Sequence, residues 1–156
     1  DVFFNCIGTT RSIAGSAKEF HNVEVGISYA AAKMAYKARI PHISLISSAG
    51  ADANTWAREW IHPLFYVKTM GQKEQTILLD YTFENVSIFK PGMLLRLQKK
   101  QTWIENLLEP LGLGLRVDIL ASAMVLNAEK IKIDSNRKTV KFFKGNKVIK
   151  EYLDNH

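Results

Sequence analysis

A chain of 156 residues, 47% hydrophobic and 23% charged, has the length and balance of one globular domain with a sizeable core. Its net charge of +6 is concentrated after residue 95, where Lys and Arg outnumber Asp and Glu twelve to seven, against nine to eight before it; such an excess speaks to solubility and loose association, and direct nucleic-acid binding is not expected. The lone cysteine, Cys6, excludes an internal disulfide framework and fits a reducing compartment such as the cytoplasm, and no run approaches eighteen apolar residues, so neither a membrane span nor secretion is expected.

In chain order, "DVFFNCI" is a short apolar run closed by "GTTR", the pattern of a strand buried on both faces of a parallel sheet. Apolar residues at 20, 23, 27, 30, 31, 34, 35 and 38 then predict an amphipathic helix that Pro41 closes. "HISLISS" at 42–48 is a second buried strand running into the turn-rich "AGADANT", and a long connection with Trp56, Trp60 and Pro63 leads to a helix over 65–79. "NVSIFKPG" predicts a third strand, stopped by Pro91 and Gly92. Strand, helix, strand, helix, strand with short joins is a parallel α/β sheet. The tail predicts a short helix at 102–108, a turn at "LGLGL" (111–115), a buried helix in "VDILASAMVLNAEK", a strand at 138–144, a turn at Gly145 and a C-terminal amphipathic helix. The whole reads as a single domain over 1–156, with 1–95 supplying the cofactor side and 96–156 a substrate-side segment.

Ligands of open parallel sheets lie beyond the carboxyl ends of the strands. Three turn-forming groups fall at such ends: "GTTR", "SSAGAD" and "KPG". Singly each is an ordinary way to leave a strand; their convergence is the signal, and Tyr66, opening the helix that leads into the third strand, adds to it. With "DVFFNCIGTTRSIAGSAKEF", "HISLISSAGAD", "Y…MGQKE", "SIFKPGMLL" and "VDILASAM" in this order and spacing, the chain resembles the short-chain dehydrogenase/reductase superfamily, in its atypical branch containing the Tat-interacting-protein oxidoreductases and their fungal relatives. The resemblance implies a Rossmann-like, NADP(H)-binding domain whose cleft is lined by Gly8, Thr9, Thr10 and Arg11, with Pro91 and Gly92 near the nicotinamide. It implies further that Ser48, with Ser47 second, holds the oxygen of a small-molecule carbonyl substrate, and that Tyr66 protonates that oxygen.

Two departures from that pattern matter. In the superfamily a lysine four residues after the tyrosine favours the phenolate, which is scarce near neutrality for an ordinary phenol of pKa about 10. Here that position is Met70. Lys68 lies about 200° around the helix from Tyr66, and Lys73 returns to the same face only about 10 Å further along the axis. Catalysis is therefore expected to be weak or lost, and a regulatory or scaffold protein that uses the fold for protein partners is the alternative. Secondly, no G-x-G-x-x-G loop occurs. The resemblance makes "DVFFNCI" a fourth strand, so the first strands of the fold are expected to be missing, through truncation, fragmentation or an incompletely read gene. Cofactor binding by this chain alone is then doubtful, and an exposed strand edge open to self-association is expected.

The remaining chemistry is thin. His21, His42, His62 and His156 lack ligand spacing with Cys6, and "ISSAG" is not the G-x-S-x-G of a hydrolase. The cytoplasm is the expected compartment; the resemblance adds mitochondria for the fungal relatives and the nucleus for the animal ones.

Overall fold

The computed structural model describes residues 1–95, 114–131 and 138–155. Its main sheet has four parallel strands in the order β1-β2-β3-β6, formed by β1 (Val2–Asn5), β2 (His42–Ile46), β3 (Asn85–Lys90) and β6 (Thr139–Lys144). The register sets Phe3 against Ile43, Leu45 against Ile88 and Phe89 against Phe143. A second, two-stranded parallel pair joins β4 (Met93–Leu95) to β5 (Gly114–Arg116).

Strand alternation divides the core between two faces. Ile43, Leu45, Val86 and Ile88 point one way and pack with Ala32, Ala35, Ile77, Tyr81 and Phe83, from the helical side of the first two crossovers. Phe89 and Phe143 point the other way, rings stacked 4.3 Å apart, onto Leu120, Ala123, Met124 and Ile149. The first face is covered by α3 (Ser28–Lys37) and α4 (His62–Asp80), the second by α5 (Val117–Lys130) and α6 (Asn146–Asp154). At roughly 1.5–3 kcal/mol for each large apolar side chain removed from water, these two clusters carry most of the fold's cohesion.

The first crossover is less regular than a single amphipathic helix. After β1 come a one-turn α1 (Arg11–Ala14), capped by Thr10 Oγ accepting from the Ile13 amide at 3.2 Å, and α2 (Ala17–His21), capped by Ser16. A π-helical stretch over Asn22–Ile27 then runs directly into α3.

Other expectations shift. The second strand ends at Ile46, so both serines of "ISS" lie beyond it. Gly114 and Leu115, read as part of a turn, lie in β5, where a Cβ on Gly114 would come within 2.5 Å of the Leu95 side chain; the small residue serves strand contact, not chain reversal. The first strand is not buried on both faces: among the described residues β1 pairs with β2 alone at the edge of the sheet, and Phe4 is 36% exposed. The helix expected at 102–108 lies outside the described residues. Gly145, with φ of +87°, makes the expected turn between β6 and α6.

Candidate functional site

Because the main strands are parallel, the segments after β1, β2 and β3 emerge at one end of the sheet. They are stitched there by backbone bonds: the Ser47 amide donates to Phe89 O and the Ala49 amide to Pro91 O, both at 2.8 Å, and the Gly92 amide donates to Asn146 Oδ1 at the start of α6 (2.9 Å). Helix α4 seats against the same region. Its Gly71 lets the 52–53 backbone approach so closely that a Cβ would lie 2.0 Å from Ala53 N, and the Asp52 amide donates to Val67 O within the helix.

These segments enclose a crevice of about 350 Å³. Thr9, Thr10 and Arg11 line it from the first loop, Ser47 from the second, Tyr66 from α4, and Pro91 through Leu94 from the third, with Phe20 below. The Phe20 ring, 2% exposed, packs 5.9 Å from the Tyr66 ring and holds it at the rim. The Arg11 guanidinium rests over Phe65, its Nη1 buried without a partner.

Six of the expected residues thus share one crevice: Thr9, Thr10, Arg11, Tyr66, Pro91 and Gly92. Gly8, in the same loop, is not among the lining residues, and a Cβ there would lie 3.2 Å from a Glu24 carboxylate oxygen. Of the serine pair, it is Ser47 that lines the crevice, and Ser48 is not among its lining residues. Ser47 Oγ donates to Glu74 Oε1, so its proton is directed inward.

Four buried ionisable side chains beneath the crevice were not anticipated as a group. Lys90 at the end of β3 donates to Glu74 Oε2 (2.9 Å) and to Ala51 O (3.1 Å). Lys73, beside Glu74 on α4, donates to Glu24 Oε2 (3.0 Å) and to Ile7 O, while the other Glu24 oxygen accepts from the Thr9 amide (2.7 Å). The sequence held a signal: Glu24 interrupts the apolar stripe between Phe20 and Ile27, and Lys73 falls in the stripe leading to Ile77. Met70, at the position of the superfamily's lysine, is 4% exposed. No group of three or more potential metal ligands occurs among the described residues.

Comparison with known proteins decides what carries this crevice. No protein-family model matches the chain. The mitochondrial protein FMP52-1 of Scheffersomyces stipitis is 31% identical over 159 residues, covering 98% of this chain and 66% of that protein. The mitochondrial FMP52 of Candida albicans is 34% identical over 128 residues, 71% of this chain and 52% of its own length. The chain belongs to the atypical short-chain dehydrogenase/reductase branch of FMP52 and HTATIP2. Rat HTATIP2 matches at 34% over 95 residues, which is 61% of this chain and 36% of that protein. Among solved structures, MoeE5 in complex with UDP-glucose and NAD superposes with a TM-score of 0.57 at 12% identity, over 93% of this chain and 66% of that one, which establishes the Rossmann-like fold. The chain spans about half the length of the curated relatives it matches, from 36% to 66%.

Proposed function

We propose that this chain carries the crevice of an NAD(P)-binding, oxidoreductase-like protein of the short-chain dehydrogenase type whose catalytic power is reduced or lost. The observation that carries the reading is the meeting of three strand-end segments and Tyr66 around one crevice, with Arg11 among its lining residues and its Nη1 left without a hydrogen-bond partner. A dinucleotide's phosphates suit that donor, since an Arg fork matches phosphate oxygens. The volume lies at the small end of ligand sites and suits one end of a dinucleotide.

On this reading Thr9, Thr10 and Arg11 would hold the cofactor, NADP(H) by the family resemblance, and Pro91 and Gly92 would border its nicotinamide, which supplies hydride for a carbonyl substrate when bound. Tyr66 would give the proton at the carbonyl oxygen. Of the two serines, Ser47 is the better placed to face that oxygen, although its hydroxyl proton is held by Glu74. Met70 supplies no cation to Tyr66, and Lys73 is engaged with Glu24. Those two facts favour the second reading, a regulatory or scaffold protein that keeps the fold for partner recognition. The mitochondrial names of the fungal relatives support a mitochondrial association for this chain ahead of the cytoplasm.

Titration of the chain with NADPH and NADH, followed by nucleotide fluorescence, tests the binding site. Weak saturable binding that falls in Arg11→Met is expected; no saturation with either nucleotide would remove the reading. Met70→Lys then separates the two functions, because general acid–base assistance contributes about 10²–10⁴-fold. Carbonyl-dependent NADPH consumption is expected to rise by about a hundredfold in Met70→Lys. Equal robust rates in both proteins would show that the missing cation has been replaced, and no activity in either would favour the partner-binding alternative.

A further inference from the structure

The first wall of the crevice rests on a buried charge couple that the reading above does not use. Lys73 and Glu24 are 1% and 4% exposed at the side chain, and their bond bridges α4 to the π-helical stretch. Both partners also hold backbone of the loop after β1, Lys73 through Ile7 O and Glu24 through the Thr9 amide. Gly8 lies against the same carboxylate, where a Cβ would make a tight contact of 3.2 Å with Glu24 Oε1. Single-turn π-helical distortions frequently accompany functional sites, and here the distortion carries the carboxylate.

Two physical consequences follow. The Thr9 amide is satisfied from within the protein and the Thr9 hydroxyl donates to Thr10 O (3.5 Å), so this loop offers an anionic ligand the Thr10 hydroxyl and the Arg11 guanidinium, not that backbone donor. Meanwhile a carboxylate directly behind the loop would repel any phosphate in front of it, at a depth where water screens poorly. The Lys73 ammonium cancels it.

We propose that Lys73 and Glu24 are positioning residues, a buried pair that fixes the Ile7–Thr9 backbone and neutralises the wall against which the anionic part of a dinucleotide would lie. The proposal rests on the nucleotide reading for its ligand, but the fixing of the loop can be measured without one.

Hydrogen exchange of the Thr9 amide in the ligand-free chain reads the first part. In Glu24→Met/Lys73→Met both charges leave together, and apolar replacement of a whole buried pair is commonly tolerated by the fold. The Thr9 amide is expected to exchange at least about tenfold faster, with amides of β3 and α5 unchanged, because its acceptor is gone while the core is intact. Lys73→Met alone leaves the carboxylate uncompensated, and NADPH affinity is expected to fall further in it than in the double variant; Lys73→Arg, which keeps the cation, should restore affinity. If Lys73→Met unfolds, the double variant still decides through Thr9. Unchanged Thr9 exchange in the double variant, or equal NADPH affinity in single and double variants, would overturn the proposal. Failure of the unsubstituted chain to bind NADPH or NADH would instead remove the nucleotide reading and leave the exchange result to judge the loop.

Discussion

His42 shows what burial does to one side chain. It lies at the start of β2, 2% exposed, with Nε2 3.0 Å from Ser87 Oγ. Ser87 gives its only proton to Asn127 Oδ1 (2.7 Å), so His42 donates to it from Nε2. Loss of water, reinforced by the positive charge of Lys141, lowers its pKa to about 4. An unfolded histidine titrates near 6.5, so below that value the unfolded chain takes up a proton the folded chain refuses, and stability falls as the pH drops from about 6.5 toward 4. Between pH 7.5 and 5 the loss should be about 2 kcal/mol. Urea midpoints at the two pH values measure it, and a His42→Gln variant should lack this component; an identical pH response in both proteins would refute the assignment. The same scale marks what the sequence could tell. The departure at Met70 was legible because the resemblance expects a lysine four residues after the tyrosine, a spacing that a helix keeps on one face. The choice between Ser47 and Ser48 was not, because both follow the last residue of β2, where alternation no longer dictates which side chain turns inward.

Among the elements, α4 organises the site. It presents Tyr66 to the crevice and sends Lys73 toward the first loop and Glu74 toward the second and third, with Gly71 as the point where loop backbone presses against it. A glycine inside a helix costs about 0.5–1 kcal/mol relative to alanine, so its retention needs a reason, and the Ala53 backbone supplies one. Gly71→Ala should therefore destabilise the fold despite better helix propensity, by about 1–3 kcal/mol as for other overpacked positions, and should displace the 51–53 segment that receives the Lys90 bond. A denaturation midpoint at or above that of the unsubstituted chain would refute the close approach. Strands β2 and β3 and helices α3 to α6 were readable from periodicity because each buries one continuous stripe or run. The β4–β5 pair escaped it, since three-residue strands carry too little pattern, and the π-helical stretch escaped because its distinguishing contact, Glu24 with Lys73, joins residues 49 positions apart.

At the scale of the molecule, the two edges of the described sheet differ in a way that predicts how copies meet. On β6, Val140 and Phe142 are exposed, but Lys141 and Lys144 lie within the strand, and a lysine on an edge discourages further pairing. On β1, the run Val2–Asn5 has no charged side chain, and among the described residues its paired neighbour is β2 alone. Phe4 leaves that edge half-open beside the exposed Val125 of α5, so apolar surface and unextended backbone pairing coincide there. Association through β1 is therefore expected to dominate over association through β6. Sedimentation velocity over a roughly hundredfold range of concentration should show the chain growing beyond monomer mass by mass action. Phe4→Lys places a cation on the open edge and should restore the monomer, whereas Phe142→Lys, on the edge already guarded, should change little. A single monomeric boundary at the highest concentration, or equal suppression by both substitutions, would show that the edge of β1 is not the surface through which copies join.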